Sequence, residues 1–348
     1  MRAASAVCWL VWCCDVSRKE FTSWILVADG VQGKSDMAQV QSGASVLVAG
    51  GRGFIGRSLC ALLEQEGYRV LSVDQTSHHA LQFNSARSHR NLQCDIADYA
   101  QVRKLFAAES VDGIIHLAAV LPSAAQRDPL LATRVNIGGS VNLLEMARQF
   151  AVRRFVFASS LSIYGTHSLE ECVSEEHCAY PEDLYGGAKL YIEQLGEAYR
   201  LQHALDFVSL RIGRVVGPGA QSKSSAWRSE IFEHLGTQEP TEVIVPFGPG
   251  GRLLLVHVDD VAKMLLALLH AGPMKHAVYN ACCESVCVAD LKHQLERLNP
   301  NITLRVGTGS AVGNPQRLNA TRFEHEFGFR PAPLSEQLRR AAGKSKAS

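Results

Sequence analysis

The chain lacks a surplus of charge of either sign. Its 35 Lys and Arg stand against 34 Asp and Glu, for a net charge of +1. Nothing in that balance argues for nucleic acid or an anionic membrane as a partner. Long apolar runs are missing too: residues 3–14, AASAVCWLVWCC, form a run too short to span a bilayer. Paired C-x-x-C spacing is absent. The 10 cysteines are scattered, and the cluster Cys282, Cys283 and Cys287 does not have the spacing of a zinc site, so no metal centre is expected. The same scatter favours a reducing compartment, the cytoplasm, over a disulfide framework. What remains is an ordinary globular composition, 47% apolar and 20% charged, in 348 residues that can fill one large domain or two.

Residues 1–42 read as a leader outside the folded body. They hold Trp9, Trp12 and Trp24, three of the four tryptophans. Arg2 before the apolar run gives a thin likeness to a signal peptide, but three cysteines crowd the run and no clean small-residue cleavage site follows. A translated upstream stretch and a disordered extension are the two expectations, with Met37 as a natural start.

Residues 46–56, VLVAGGRGFIG, organise the rest. The apolar run Val46-Leu47-Val48 ends in a glycine turn, and apolar side chains resume at helical spacing from Phe54 and Ile55 through Leu59, Leu62 and Leu63. Gly50, Gly53 and Gly56 let the backbone turn tightly, approach a ligand and pack the helix on its strand. The helix start offers N–H groups to a pyrophosphate. A second strand, residues 69–73, ends at Asp74, at the distance expected of a carboxylate that binds an adenosine ribose.

Further on, residues 75–90 read as a polar loop. Strands are expected at 113–117, 154–158 and 207–210, alternating with helices at 99–109, 129–150 and 184–204. That alternation predicts an α/β fold with a parallel, doubly wound sheet. The glycine turn, Ala118-Ala119, Ser159-Ser160 and Arg211 then gather at the carboxyl edge, where such sheets bind ligands. Residues 213–252 are rich in Gly, Pro and Ser and cannot be one regular element. Asp259 or Asp260 is expected to cap an apolar helix that runs to about His270.

Tyr185 and Lys189, four apart at a helix start, share a face. A lysine charge nearby favours the phenolate, which can take the proton of a substrate hydroxyl. Ser160, after another strand, can hold the same oxygen. His116 is expected to pack or bond locally. The acidic loop Glu170, Glu171, Glu175, Glu176 and His177 reads as solvated charge, or more sharply as a substrate lid. Ser123, Arg127 and Trp227 fall where a substrate cleft would be lined, and plain packing is the alternative for Trp227.

Together with Asp95-Ile96, His116-Leu117-Ala118-Ala119, Asn136, Ser159–Gly165, Leu210-Arg211, Gly217-Pro218, His257–Val261, Tyr279-Asn280 and Phe327–Pro331, these motifs resemble the extended short-chain dehydrogenase/reductases. That is the family of NAD-dependent sugar-nucleotide epimerases and dehydratases. The resemblance implies a Rossmann-type dinucleotide-binding domain at 43–214 plus about 252–280, and a smaller substrate-binding lobe at about 215–251 plus 281–343. It implies catalytic roles for Ser160, Tyr185 and Lys189, with Lys189 also on the nicotinamide ribose. It places the cofactor on Gly50, Gly53, Phe54, Ile55, Gly56, Asp74, Asp95, Ile96 and Ala118. Asp74 without a following arginine implies NAD; Arg52 in the glycine turn keeps NADP as the alternative. A homodimer built on helices 130–150 and 184–204 is implied as well.

Departures narrow the activity. Family dehydratases carry Asp-Glu directly after the catalytic Ser/Thr, and decarboxylases a Glu at the second position; here stand Leu161-Ser162. Arg214 replaces the Asn with which epimerases contact the sugar nucleotide, and Arg252-Leu253-Leu254-Leu255 stands where they carry Arg-Asp-Phe. Arg214 can meet a substrate carboxylate or phosphate, or close a structural ion pair. With Ser123 and Ser160 it is the expected substrate contact. The expected activity is oxidation of a secondary alcohol on a small sugar-type molecule, by a nucleotide-sugar epimerase. The alternatives are a sugar-acid or hydroxy-acid dehydrogenase, and an inactive dinucleotide-binding protein.

Overall fold

A computed structural model describes residues 40–75, 88–165, 171–219, 225–309 and 315–343. The leader up to residue 39, most of the 75–90 loop, Glu170 and residues 222–224 lie outside the described residues.

Seven parallel strands form the main sheet. They are β1 (Ser45–Ala49), β2 (Arg69–Asp74), β3 (His89–Gln93), β4 (Gly113–His116), β5 (Arg154–Ser160), β7 (Asp206–Ile212) and β11 (Val278–Asn280), in the order β11-β7-β5-β4-β1-β2-β3. A two-residue β6 (Cys172–Val173) falls between β5 and β7 in the chain. The order reverses between β1 and β4, which opens a crevice at their carboxyl ends. Both faces are covered, so the strands read as unbroken apolar runs. Val46 and Val48 of β1 pack with Val70, Ile115, Val156 and Val208 on one face. Leu47 and Ala49 pack with Leu71, Ile114, Phe155 and Phe207 on the other. Helices α1 (Phe54–Gln65) and α8 (Val258–His270) cover the first face. Helices α2 (Tyr99–Ala108), α5 (Ser140–Gln149) and α6 (Leu184–His203) cover the second.

The helix expected over 129–150 is not uniform. Beyond the short α3 (Pro122–Arg127), α4 (Pro129–Ala132) opens into a π-helical segment, Thr133–Gly139, before α5 begins. The wide turn holds the buried Asn136 side chain on Val120, accepting from its N–H at 2.7 Å and donating to its carbonyl at 3.0 Å. The cap of α8 also differs from expectation. His257 is the cap, its ring Nδ1 accepting from the Asp259 N–H, and Asp259 and Asp260 fall inside the first turn.

After β7, Gly213 alone separates the main sheet from β8 (Arg214–Val216), which belongs to a three-stranded sheet with β10 (Arg252–His257) and β12 (Glu284–Cys287). A Cβ on Gly213 would meet Cys283 Sγ at 2.7 Å and the Leu254 carbonyl at 3.0 Å. Around this sheet lie α7 (Trp227–Glu233), the parallel pair β9 (Thr241–Phe247) and β13 (Ile302–Gly309), α9 (Val288–Leu298) and α11 (Leu334–Ala341). Their apolar side chains form a separate core. The last elements are β14 (Arg317–Leu318), which pairs with β6, and α10 (Thr321–Phe327). Among the described residues no helix is long and apolar enough to cross a membrane.

Arg154 ties sheet and helices together. It is fully buried, donates Nε to Asp206 at 3.0 Å across the β5–β7 register, and reaches the carbonyls of Leu268 in the last turn of α8 and of Ala271 and Gly272 just past it. Arg154→Met strips these acceptors of their donor and leaves the Asp206 carboxylate without its partner. We expect a loss of about 3 kcal/mol in urea unfolding.

Candidate active site

The glycine turn lies in the crevice between β1 and β4. Gly50 takes a left-handed φ of +83°, and a Cβ there would meet the Ala118 backbone N at 2.8 Å. A Cβ on Gly56 would meet the Gly50 carbonyl at 2.2 Å, so this face of α1 presses directly on the turn. The N-cap of α1 is Gly53, which supplies no side-chain acceptor. The first-turn N–H groups therefore lack a cap and suit a pyrophosphate. Phe54 and Ile55 fix the helix start by packing on the core. Asp74 ends β2, the neighbour of β1, and its carbonyl accepts from Cys94 N at 2.9 Å. That bond brings Asp95 and the buried Ile96 to the same edge. Asp95 Oδ1 is used locally, on the Ala97 N–H. These residues fit a dinucleotide laid across the crevice.

Ser160 ends β5, and its Oγ accepts from Ser162 N at 3.2 Å. Asp183 caps α6 by accepting from Gly186 N at 2.6 Å, which sets Tyr185 in the first turn. The Ser160 hydroxyl is near enough to act on the Tyr185 phenol, favouring its ionised form. One turn on, the buried Lys189 donates from Nζ to the Ala158 carbonyl at 2.6 Å, with its ammonium 5.4 Å from the Tyr185 ring centroid. Strand β5 thus carries both Ser160 and the anchor of Lys189.

The electrostatics differ from the simple expectation that Lys189 lowers the Tyr185 pKa. Burial pushes the phenol up to about 12, opposed by the Ser160 hydroxyl and the Arg228 charge and reinforced by Asp183. Burial brings Lys189 down to about 7, with Glu193 pushing back. The Arg228 charge favours the phenolate, while Lys189 spends its hydrogen bond on the Ala158 carbonyl. Glu193 extends the Tyr185–Lys189 stripe by another four residues, and that spacing was the signal that could have found it. Its carboxylate is gripped by Arg211, Nε at 3.1 Å from Oε1 and an Nη at 2.8 Å from Oε2.

Other expected residues fall as follows. His116 is fully buried, bonded to Ser140 Oγ at 2.8 Å, and held neutral by burial with a pKa near 3, in keeping with local bonding. Ser123 and Arg127 are exposed on α3. Trp227 is 4% exposed, belongs to the core around the three-stranded sheet, and packs edge-on against the partly buried Phe247. Glu175 is not solvated charge: its side chain is 3% exposed and Oε1 accepts from Asn280 N at 2.7 Å. Arg322 pairs with both Glu175 and the exposed Glu176. Arg214 closes no ion pair among the described residues; its guanidinium lies over the Phe247 ring, 4.9 Å from the centroid. Arg228, beside Tyr185, carries no motif at all in the sequence. Among the described residues no cluster of metal-ligating side chains occurs.

Residues 46–282 match the model of the NAD dependent epimerase/dehydratase family. The chain is 29% identical over 315 residues to a dTDP-4-dehydro-6-deoxy-D-allose reductase from Streptomyces bikiniensis, covering 86% of this chain and 96% of that one. An L-threonine dehydrogenase from Cupriavidus necator shares the fold with a TM-score of 0.77 at 20% identity, over 86% of this chain and 99% of that one. A UDP-glucose 4-epimerase from Thermus thermophilus, solved in complex with NAD, has a TM-score of 0.72 at 26% identity, over 87% of this chain and 99% of that one.

Two outcomes are expected. Gly50→Ala, strained at positive φ and pressed on Ala118, should weaken NAD binding at least about tenfold in calorimetric titration, while the fold survives by circular dichroism. Because burial raises the Tyr185 pKa, its neutral form dominates near neutrality and the base is scarce. Alcohol oxidation should therefore rise with pH between about pH 7 and about pH 10, while carbonyl reduction, which needs the protonated phenol, stays flat or falls.

Proposed function

This chain belongs to the NAD-dependent epimerase/dehydratase family, and we propose that it oxidises a secondary alcohol of a sugar-type substrate at the Ser160–Tyr185–Lys189 site. The observation that carries this reading is the placement of Ser160 at the end of β5 beside the first turn of α6 that bears Tyr185, with buried Lys189 one turn on and anchored on β5, at the same sheet edge as the glycine turn. In this reading Tyr185 takes the hydroxyl proton and Ser160 holds the same oxygen as its charge changes. Lys189 orients the phenol from behind and reaches the cofactor ribose. A bound nicotinamide supplies the hydride acceptor. Gly50, Gly53, Phe54, Ile55, Gly56 and Ala118 form the cradle, with Asp74, Asp95 and Ile96 at the adenosine end. Asp74 favours NAD over NADP.

The first reading is a nucleotide-sugar epimerase, in which configuration at the oxidised carbon is inverted. A UDP-glucose 4-epimerase among the similar structures supports it. The second is a dehydrogenase of a sugar acid or hydroxy acid, in which the oxidised product leaves. Arg214, without a carboxylate partner among the described residues, favours this one. The homodimer rests on the family resemblance, with Leu130 and Tyr191 exposed on the helices concerned.

Proton NMR of a panel of sugar nucleotides and sugar acids, incubated with protein and NAD, separates the readings. New epimer signals without NADH establish the epimerase. Stoichiometric NADH with an oxidised product establishes the dehydrogenase. Tyr185→Phe should cut turnover by about a hundredfold to ten-thousandfold and leave NAD affinity nearly intact. Loss of NAD binding with turnover would remove Tyr185 from the assigned role.

A further inference from the structure

Arg214 and Arg228 share an aromatic backing past the end of β7 and, among the described residues, have no partner for their charge. Ile212 pairs with Ser160 across β5–β7, so Arg214, two residues on, leaves the main sheet at the end that carries Ser160. The start of α7 is sewn to the end of β8: Gly217 N donates to the Arg228 carbonyl at 3.0 Å, and Ser229 Oγ donates to the Gly217 carbonyl at 2.7 Å. An aromatic pair backs both guanidinium groups. Arg214 lies over Phe247 at 4.9 Å, Arg228 over Trp227 at 6.0 Å, and the two rings meet edge-on at 6.4 Å. Both Nε atoms are buried with no hydrogen-bond partner. Among the described residues neither side chain forms an ion pair, whereas buried Arg154 and Arg211 each hold a carboxylate.

Such an arrangement is unfavourable by itself. Two like charges in a partly buried setting repel, and buried donors left unpaired carry a desolvation penalty. Burial and the neighbouring Arg214 charge bring Arg228 down to about 10. An anion with oxygens for both forks removes each defect at once.

We propose that Arg214 and Arg228 form a clamp for a substrate carboxylate close to the carbon whose hydroxyl faces Tyr185, so that the substrate is a sugar-type hydroxy acid. The proposal rests on the oxidoreductase reading of the Ser160–Tyr185–Lys189 site. Position decides between the sources of an oxyanion. Arg228 is near enough to act on the phenol electrostatically. A carboxylate one or two bonds from the reacting carbon reaches that spot. In a nucleotide sugar the phosphate hangs from the anomeric carbon, across the ring from the C4 carbinol.

The test is calorimetric titration of the NAD-loaded full chain with D-gluconate, L-threonate and D-galacturonate. Their neutral counterparts D-glucose, L-threitol and D-galactose, and UDP-glucose, are run beside them. We expect at least one acid to bind about tenfold or more tightly than its neutral counterpart. Arg214→Gln and Arg228→Gln should each weaken that acid about tenfold or more, with NAD affinity unchanged and Arg228→Lys intermediate. Equal binding of acid and neutral forms, no binding of any acid, or acid binding indifferent to both substitutions overturns the clamp. Arginine-dependent binding of UDP-glucose in preference to the acids overturns the carboxylate assignment. The underlying reading fails separately. If Tyr185→Phe turns over the acids as fast as the parent chain while the arginines still bind them, the oxidoreductase site is wrong and the clamp stands. If neutral substrates turn over through Tyr185 regardless of Arg214 and Arg228, the clamp is wrong and the site stands.

Discussion

Arg211 and Glu193 meet where neither reaches bulk water, and the geometry of the site depends on that meeting. Both side chains are less than a tenth exposed. Glu193 sits on α6 and Arg211 on β7, so the pair pins the helix that bears Tyr185 and Lys189 to the sheet that bears Ser160. A spare Arg211 Nη donates to Tyr164 Oη at 2.8 Å, and that hydroxyl lies 2.8 Å from Asn280 Oδ1 on β11. A buried ion pair of this kind is not a large source of stability, since desolvation offsets most of its Coulomb energy. Its use here is register. Slipping α6 by one residue would strand both charges, and that penalty holds the stripe Tyr185–Lys189–Glu193 at one rotation about the helix axis.

The fully bonded arginines set off the two that are not. Arg154 and Arg211 use their donors on carboxylates and carbonyls within the fold. Arg214 and Arg228 have aromatic faces behind them and no acceptor for Nε. The same residue type is therefore satisfied within the fold in one pair and left without a counter-charge in the other. The difference lies in whether the fold supplies the counter-charge.

Much of the fold was legible in the sequence because buried parallel strands read as apolar runs. Val46–Val48, Ile114-Ile115 and Phe155–Phe157 announce β1, β4 and β5 without help from tertiary context. The glycine turn was legible for a steric reason, since the contacts at Gly50 and Gly56 leave no room for a Cβ. What escaped depends on contacts between distant residues. Glu175 looks like solvated charge in its acidic loop, and only the fold brings it under Asn280 N, 105 residues away. Arg228 has no motif, and its neighbours Tyr185 and Arg214 come from other elements. The π-helical turn at Thr133–Gly139 follows from Asn136 bonding to Val120, which helical periodicity cannot register. His257 takes the cap from two aspartates because the chain leaves β10 for α8 without a break, placing both carboxylates inside the first turn.

Gly213 alone links the main sheet to the smaller one. A lone glycine between two sheets would ordinarily suggest a pivot, but here the surroundings are close enough that even a Cβ would meet Cys283 and the Leu254 carbonyl. Arg214 thus stands two residues past Ile212, the β7 partner of Ser160, across a link with no room for a side chain. A site built across so short and close a link is preorganised. Such a site spends little of its binding energy on moving domains and holds its charges ready before the substrate docks.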